Sequence, residues 1–294
     1  MEPISPDHRS GYVAFVGKPN VGKSTLMNAL LGRKLSIVTP KAQTTRHRIL
    51  GILSEEDEQI IFLDTPGIIK PRYKLQETMM NSVGGAITDA DLIVFMVDAT
   101  RDKADELSLE QIGNRPAILA INKMDQIKQE EALPLVETYM AHRAFEEIVP
   151  ISALTGFNLD VLLEEIKKRV PLGPPFYPKD MISEHPERFF VTEIIREKVF
   201  EQYWQEIPYS TTVNIVTYEE REDGKDLIDA EIVVERDSQK GILIGKGGSA
   251  LKKVGTAARK DIEEFLGKPV FLKLFVKVRG DWRNRDTLLR SYGY

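Results

Sequence analysis

The sequence predicts an α/β protein in two parts: a mostly parallel, two-sided sheet over residues 1–170, and a smaller α+β unit over residues 185–294. Three observations predict it. In the first half, short runs of apolar and β-branched residues alternate with longer stretches of helical periodicity, the pattern of βαβ units. That alternation stops at Val170, and Pro171, Pro174, Pro175 and Pro178 follow within eight residues, a stiff segment that cannot continue a helix. Charge then changes sign along the chain. From Ser238 to Tyr294 there are 13 Lys and Arg against 5 Asp and Glu, a balance of +8, whereas the preceding 237 residues carry −13. An acidic front and a basic end imply two surfaces with different partners, nucleic acid being one candidate and a solubilising lysine face the other.

The first-half strands are expected at Tyr12–Val16, Gln59–Leu63, Leu92–Val97, Ala117–Ile121 and Glu147–Ile151, with helices starting near Lys23, Leu75, Asp105, Glu130 and Asn158. The run Arg48–Leu53, a polar turn at Ser54–Glu58 and the strand Gln59–Leu63 read as a hairpin, adding one antiparallel edge strand. Residues 171–184 form the proline-rich linker. Beyond it, Ile194, Ile195, Val199, Phe200, Tyr203 and Trp204 share one helical face, with the aromatics expected in the core. Strands Val213–Arg221 and Ile228–Arg236, a glycine-rich turn, a helix from Leu251 to Phe265 and a last strand Val270–Val278 complete the chain.

Composition excludes several classes. At 42% apolar and 29% charged residues, the chain can bury a core and is neither disordered nor fibrous. No apolar run approaches the ~18–20 residues that span a bilayer. The amino-terminal residues show no signal-peptide pattern, cysteine is absent and there are four His, so no disulfide framework or thiolate metal site is expected and a cytoplasmic protein is.

Gly17-Lys18-Pro19-Asn20-Val21-Gly22-Lys23-Ser24 fits GxxxxGK[ST] between a strand and a helix that continues through Thr25. Glycines let backbone N–H groups converge on phosphate oxygens, and the helix N-terminus favours the anion. Lys23 is expected at the β- and γ-phosphates and Ser24 on Mg²⁺. Such a loop alone serves ATPases, kinases and GTPases alike. Asp64-Thr65-Pro66-Gly67 ends the next apolar strand, where a buried Asp is costly unless paired; Asp64 is expected near Mg²⁺, through water, and Gly67 N–H near the γ-phosphate. Asn122-Lys123-Met124-Asp125 follows a third strand end. Asp125 suits the guanine N1–H and N2 amine, while Asn122 and the Lys123 stem brace the ring; adenine would leave the carboxylate unpaired. Ser152-Ala153-Leu154 would offer a backbone N–H to guanine O6. Four motifs in order, each at a strand end, define a guanine-nucleotide site, with Lys23, Asp64, Thr45 and Gly67 as the expected catalytic group.

Lys41-Ala42-Gln43-Thr44-Thr45-Arg46 is a polar loop in which a Thr can complete Mg²⁺ coordination, Thr45 being preferred over Thr44 and a solvated linker being the alternative. Ile68 occupies the place where Ras-like GTPases carry the water-orienting Gln. An alkyl group cannot orient water, so slow intrinsic turnover is expected, with water held by backbone, another loop, a monovalent cation or a partner. Asn20, through its side-chain oxygen, is a candidate K⁺ ligand. In the second part, Gly245-Lys246-Gly247-Gly248 is a GxxG loop before a helix bearing Lys252, Lys253, Arg259 and Lys260. In KH domains such a loop clamps about four single-stranded nucleotides. Lys273, Lys277, Arg279, Trp282, Arg283 and Arg285 add charge and one aromatic, which either stacks on bases or packs on the domain.

The GTP motifs joined to a KH unit containing RDSQKGILIGKGG and ending VKVRGDWRNRDTLLRSYGY closely resemble the bacterial Era GTPases over nearly the whole chain. The resemblance implies a P-loop GTPase domain followed by a type II KH domain. It also implies GTP/GDP and Mg²⁺ as ligands, and a GTP-regulated assembly factor for the small ribosomal subunit. By it, the RNA partner is the 3′ region of small-subunit ribosomal RNA, and the protein associates peripherally with the inner membrane face. Gly17–Ser24, Asp64–Gly67 and Asn122–Asp125 would carry nucleotide, and the GxxG loop with its following helix RNA. Ile69 stands where many relatives are expected to have His, which argues against an imidazole from that position. The contrasting expectations are a signalling GTPase with a membrane or protein target, and an RNA-binding module whose nucleotide is structural.

Overall fold

The computed structural model describes residues 5–101, 104–222 and 224–294. These form two compact units, the first running to Pro71 and resuming from Met79 to Glu184, the second comprising Arg72–Thr78 and His185–Tyr294. The first unit carries β1 (Arg9–Val16), α1 (Lys23–Leu31), β2 (Ile49–Ser54), β3 (Glu58–Asp64) and most of α2 (Lys74–Asp89). It continues with β4 (Leu92–Asp98), α3 (Glu106–Ile112), β5 (Ala117–Asn122), α4 (Leu133–His142), β6 (Glu147–Pro150) and α5 (Leu159–Arg169). The strand order is β2-β3-β1-β4-β5-β6. β2 runs antiparallel to β3 and every other pair is parallel, so the expected hairpin supplies the one antiparallel edge.

Every residue of β4 and of β5 is buried, as a parallel sheet covered by helices on both faces requires. That explains why these strands read as continuous apolar runs. A polar residue ends both of them and β3 as well: Asp64 closes β3, Asp98 closes β4 and Asn122 closes β5. In an open α/β sheet the carboxyl ends of the strands bound the ligand crevice. The fourth helix begins later than the sequence suggests. A 3₁₀ turn occupies Gln129–Ala132 and the α-helix starts at Leu133, where Pro134 sits in the first turn and needs no N–H partner.

The proline-rich segment is not a free spacer. The side-chain oxygen of Gln59, itself 1% exposed, accepts from Phe176 N at 2.8 Å and Tyr177 N at 2.9 Å, while its Nε2 donates to Tyr177 O at 2.9 Å. Ile52 N donates to Ile182 O at 2.8 Å and Ser183 Oγ to Leu50 O. The segment therefore lies against β2 and β3 as part of the first unit.

The second unit has the order α6 (Glu187–Gln202), β7 (Thr212–Glu219), β8 (Asp226–Val234), α7 (Asp237–Ile244), α8 (Ser249–Leu266), β9 (Val270–Val278) and α9 (Asp286–Ser291). Its sheet is β7-β8-β9, antiparallel then parallel. One core gathers Val191 and Ile195 of α6, Val254 and Ile262 of α8, and Ile228 and Ile232 of β8. Two expectations are corrected here. The glycine-rich turn before the GxxG loop is the helix α7, whose start is fixed by Gln239 Oε1 accepting from Glu235 N and Arg236 N at 3.0 Å each; Gly241 inside it hid the helical pattern. Helix α6 stops at Gln202, so Tyr203 lies beyond its end and Trp204 is 68% exposed rather than in the core.

Candidate functional site

The first site is built where β1 meets α1. Gly17 and Gly22 have φ of 152° and 105°. A Cβ at Gly17 would fall 2.3 Å from Met96 O, and one at Gly22 2.1 Å from Asn122 Nδ2, so close backbone approach as well as conformation demands glycine there. Lys23 is buried at the head of α1, and its Nζ donates to Gly17 O and Lys18 O at 3.0 Å each. Burial lowers its pKa to about 8, against the pull of Asp64 and Asp105. An amine in this position is poised to exchange two carbonyl partners for phosphate oxygens.

Ser24 Oγ donates to Asp64 Oδ2 at 2.6 Å and lies 2.9 Å from Thr45 Oγ1. Asp64 is fully buried and its Oδ1 has no hydrogen-bond partner among the described residues. Burial pushes the Asp64 pKa up, although the Ser24 hydroxyl and the Lys23 charge oppose it. Two hydroxyls and an orphaned buried carboxylate oxygen are hard donors, the set that suits Mg²⁺ completed by phosphate and water. Thr44 is occupied elsewhere: its hydroxyl is 2.6 Å from Thr39 Oγ1 and donates to Lys41 O at 2.8 Å. Of the two threonines, the structure brings Thr45 to Ser24. Among the described residues no cluster of three or more His, Cys, Asp or Glu offers another metal cage.

At the end of β5, Asn122 Nδ2 donates to Val21 O at 2.7 Å and its Oδ1 accepts from Ala153 N at 2.8 Å. Asn122 thus fastens the P-loop and the Ser152–Leu154 loop together. Ser152 Oγ donates to Asp125 Oδ1 at 2.6 Å, orienting that carboxylate. The N–H expected to meet guanine O6 is narrowed by these bonds. Ser152 N donates to Phe157 O and Ala153 N to Asn122, which leaves Leu154 N as the one of the three without an intramolecular bond among the described residues. A cleft of about 410 Å³ runs along Pro19, Asn20, Lys23, Ser24, Thr25, Thr45, Thr65 and Gly67 to Asn122, Lys123, Asp125 and Leu154, so the four motifs share one cavity. Pro66 follows in the same loop, and Gly67 passes so near the P-loop that a Cβ would meet Pro19 N and Cα at 2.5 Å.

Ile68 is 3% exposed within the core and its N–H donates to Gly17 O at 3.1 Å. Its side chain packs in the core, in keeping with an alkyl group that has no water-orienting role. Asn20 has a left-handed φ of 65° and its Nδ2 donates to Pro40 O at 2.9 Å. The sequence reading did not name Ile37, Val38, Thr39, Pro40, Gln126 or Arg101 on the wall of this cleft, nor Asp98 in the small cavity behind it. For Asp98 the signal was present. Asp98 ends the strand LIVFMVD in the same way that Asp64 ends β3.

The same arrangement recurs in known proteins. The chain is 52% identical to the protein described as GTPase ERA1, chloroplastic, of Zea mays, over 99% of this chain and 72% of that one. The chain belongs to the Era family of GTPases. It hydrolyses GTP to GDP and phosphate. A family model described as 50S ribosome-binding GTPase matches residues 12–123, and a KH domain model matches residues 206–283. A variant of Aquifex aeolicus Era bound to GDP·AlF4⁻ superposes with a TM-score of 0.93 at 45% identity, covering 97% of this chain and 99% of that one. An Era solved with MgGDPNP and nucleotides 1506–1542 of 16S ribosomal RNA superposes with a TM-score of 0.94 at 45% identity, covering 98% and 99%.

The KH domain of this Era-family chain holds the second candidate site. Gly245, Gly247 and Gly248 all have left-handed φ, of 69°, 59° and 79°, which only glycine adopts without strain. Lys246, Lys252 and Lys253 are exposed. A groove between α8 and β9 has Lys252, Arg259 and Lys273 on its rim and Leu251, Leu272 and Leu274 within it, basic outside and apolar inside. Trp282 is corrected as a stacking residue. It is fully buried, donates Nε1–H to Ser210 O at 2.9 Å, and packs on Tyr292 and Tyr294. Lys277 is paired with Glu231 at 2.7 Å and Arg283 with Glu235 at 2.5 Å, so neither is an uncommitted cation; Arg279 is exposed.

Proposed function

We propose that this chain is a GTP-dependent switch that binds the 3′ region of small-subunit ribosomal RNA and assists assembly of the small ribosomal subunit. The observation that carries the proposal is one chain with both a complete guanine-nucleotide cleft and a basic GxxG groove, together with the superposition on an Era bound to MgGDPNP and 16S nucleotides 1506–1542. In this reading Asp125 accepts the base N–H groups, Asn122 and Lys123 brace the ring, Leu154 N meets O6, and Lys23 spans the β- and γ-phosphates. Ser24 and Thr45 would hold Mg²⁺ directly and Asp64 through water, and the ion would supply neutralisation of phosphate charge. Because Thr45 sits on a loop, its contact is made with GTP and relaxed with GDP. Gly245–Gly248, Lys246, Lys252, Lys253 and Arg279 carry the RNA backbone.

RNA affinity measured with GDP and with a non-hydrolysable GTP analogue tests the switch. Tighter binding with the analogue is expected. Equal affinity would make the nucleotide structural, and no affinity for a 3′-end oligonucleotide would favour a signalling GTPase with another target. The K⁺ role of Asn20 belongs to the same proposal: turnover in K⁺ should exceed that in Na⁺, and equal rates would remove the cation. A cytoplasmic location rests on the absence of cysteine and of a signal-peptide pattern in the sequence, and peripheral attachment to the membrane on the family resemblance. No helix among the described residues is long and apolar enough to cross a membrane, and vesicle flotation tests surface attachment.

A further inference from the structure

Lys123 is the residue of the base-recognition loop with an unexplained geometry. It holds a left-handed φ of 72°, an uncommon and costly conformation for a residue with a side chain, and such strain concentrates at functional positions. Its side chain lines the nucleotide cleft, yet its Nζ is bonded 2.7 Å away to Asp98 Oδ2, and Asp98 lies outside the cleft lining, in the small cavity behind the P-loop. The ammonium is therefore tied to a carboxylate outside the cleft lining, while Lys123 itself borders the cleft. Asp98 is itself tightly held: 5% exposed, its Oδ1 accepts from Thr100 N at 3.0 Å and Thr100 Oγ1 at 2.7 Å. Arg101, on the cleft wall, brings Nε within 3.5 Å of the same Oδ2. Burial alone would raise the Asp98 pKa, but the Lys123 ammonium and the Thr100 hydrogen bonds outweigh it and hold the carboxyl below its usual range.

We propose that Asp98 is a positioning residue for the bound nucleotide: its carboxylate anchors the Lys123 ammonium so that the lysine stem lies flat over the guanine ring, and it thereby sets how long nucleotide stays bound. A neutral partner at position 98 frees a four-carbon chain with its charge to sample the cleft, and the base loses that wall. The discrimination between bases belongs to Asp125 and is not altered by this anchor. The inference rests on reading Asn122–Asp125 as the base pocket.

The test uses full-length Asp98→Asn, which is isosteric, Lys123→Met, which keeps the stem and removes the charge, and the double variant. Release of a fluorescent GDP is followed by displacement with excess GDP, and GTPase kinetics are measured beside it. Each single variant should release GDP about tenfold faster, the scale of one lost charge-assisted hydrogen bond. KM for GTP should rise by a larger factor than kcat falls, a split that a general loss of folding does not produce. The double variant should match the singles, because both break one linkage. Release within twofold of wild type in the single variants, or additive effects in the double, would overturn the proposal. If Asp98→Asn does not fold, Lys123→Met decides alone: unchanged release overturns it. Asp125→Asn separates the two levels. If that variant fails to move the preference from GTP toward XTP, the base-pocket reading falls; if it does and the other variants release GDP normally, the anchor alone falls.

Discussion

Lys23 enters the nucleotide cycle as a buried amine held by two carbonyls, and its pKa of about 8 has a measurable consequence. Phosphate oxygens favour the ammonium, so binding raises that pKa, and the free protein must take up a proton wherever Lys23 is partly neutral. Affinity for GDP should then be flat below about pH 7.5 and fall as pH rises through 8, with a slope approaching one proton per nucleotide. Calorimetry at pH 8.5 in two buffers of different ionisation enthalpy should show proton uptake; a pH-independent affinity between about pH 7 and 9 would place the ammonium elsewhere. Asp125 makes a second prediction at this scale. Asp125→Asn exchanges a pure acceptor for an amide that suits xanthine, and GTP affinity should drop by roughly 2–4 kcal/mol with preference moving toward XTP. Competition binding reads it directly. Ile68→Ala should alter kcat only modestly, since the side chain is in the core and touches no reacting atom.

Between elements, the controlling contacts are loop against loop. Gly67 and Pro19 approach so closely that a methyl group would lie 2.5 Å from backbone atoms. Gly67→Ala should push the Asp64–Gly67 loop off the P-loop, with kcat falling roughly 100-fold, as when a transition-state donor is misplaced, while GDP affinity changes far less. Single-turnover hydrolysis beside GDP titration separates the two. Strands β4 and β5 were the most legible in the sequence because each is an unbroken buried apolar run closed by a polar residue, LIVFMVD and AILAIN. Where reading failed, a local signal was masked by a contact from afar. Gly241 made α7 look like a turn although Gln239 caps it. Trp282 stayed open between stacking on bases and packing on the domain because nothing local reveals Ser210 O, 72 residues away, as its hydrogen-bond partner. Asp98 passed unnoticed because its partner, Lys123, is 25 residues on.

At the scale of the whole chain, charge is divided as the functions are: the segment from Ser238 onward carries a balance of +8, and Lys252, Arg259 and Lys273 of it line the groove beside the GxxG loop. Replacing Lys246 and Gly247 together by Asp sets carboxylates where phosphates should lie and forces a side chain into a left-handed position. RNA affinity should collapse while GTP binding, which belongs to the other unit, barely moves. For the wild type, log K against log salt should fall by about 0.7 per phosphate contacted, roughly −3 for four; anisotropy titrations with a 3′-end oligonucleotide would show both effects. Full affinity in the Asp variant with a flat salt response would reduce the loop to a structural turn. The docked segment after Val170 decides how the molecule can be taken apart. A fragment ending at Val170 removes both backbone N–H groups that Gln59 Oε1 accepts from and uncovers Ile52 N on β2. It would present solvent with a bare apolar edge, the template on which sheets of different molecules join. One ending at Glu184 carries its own border strip. The longer piece should stay monomeric and resist protease, and the shorter one should precipitate.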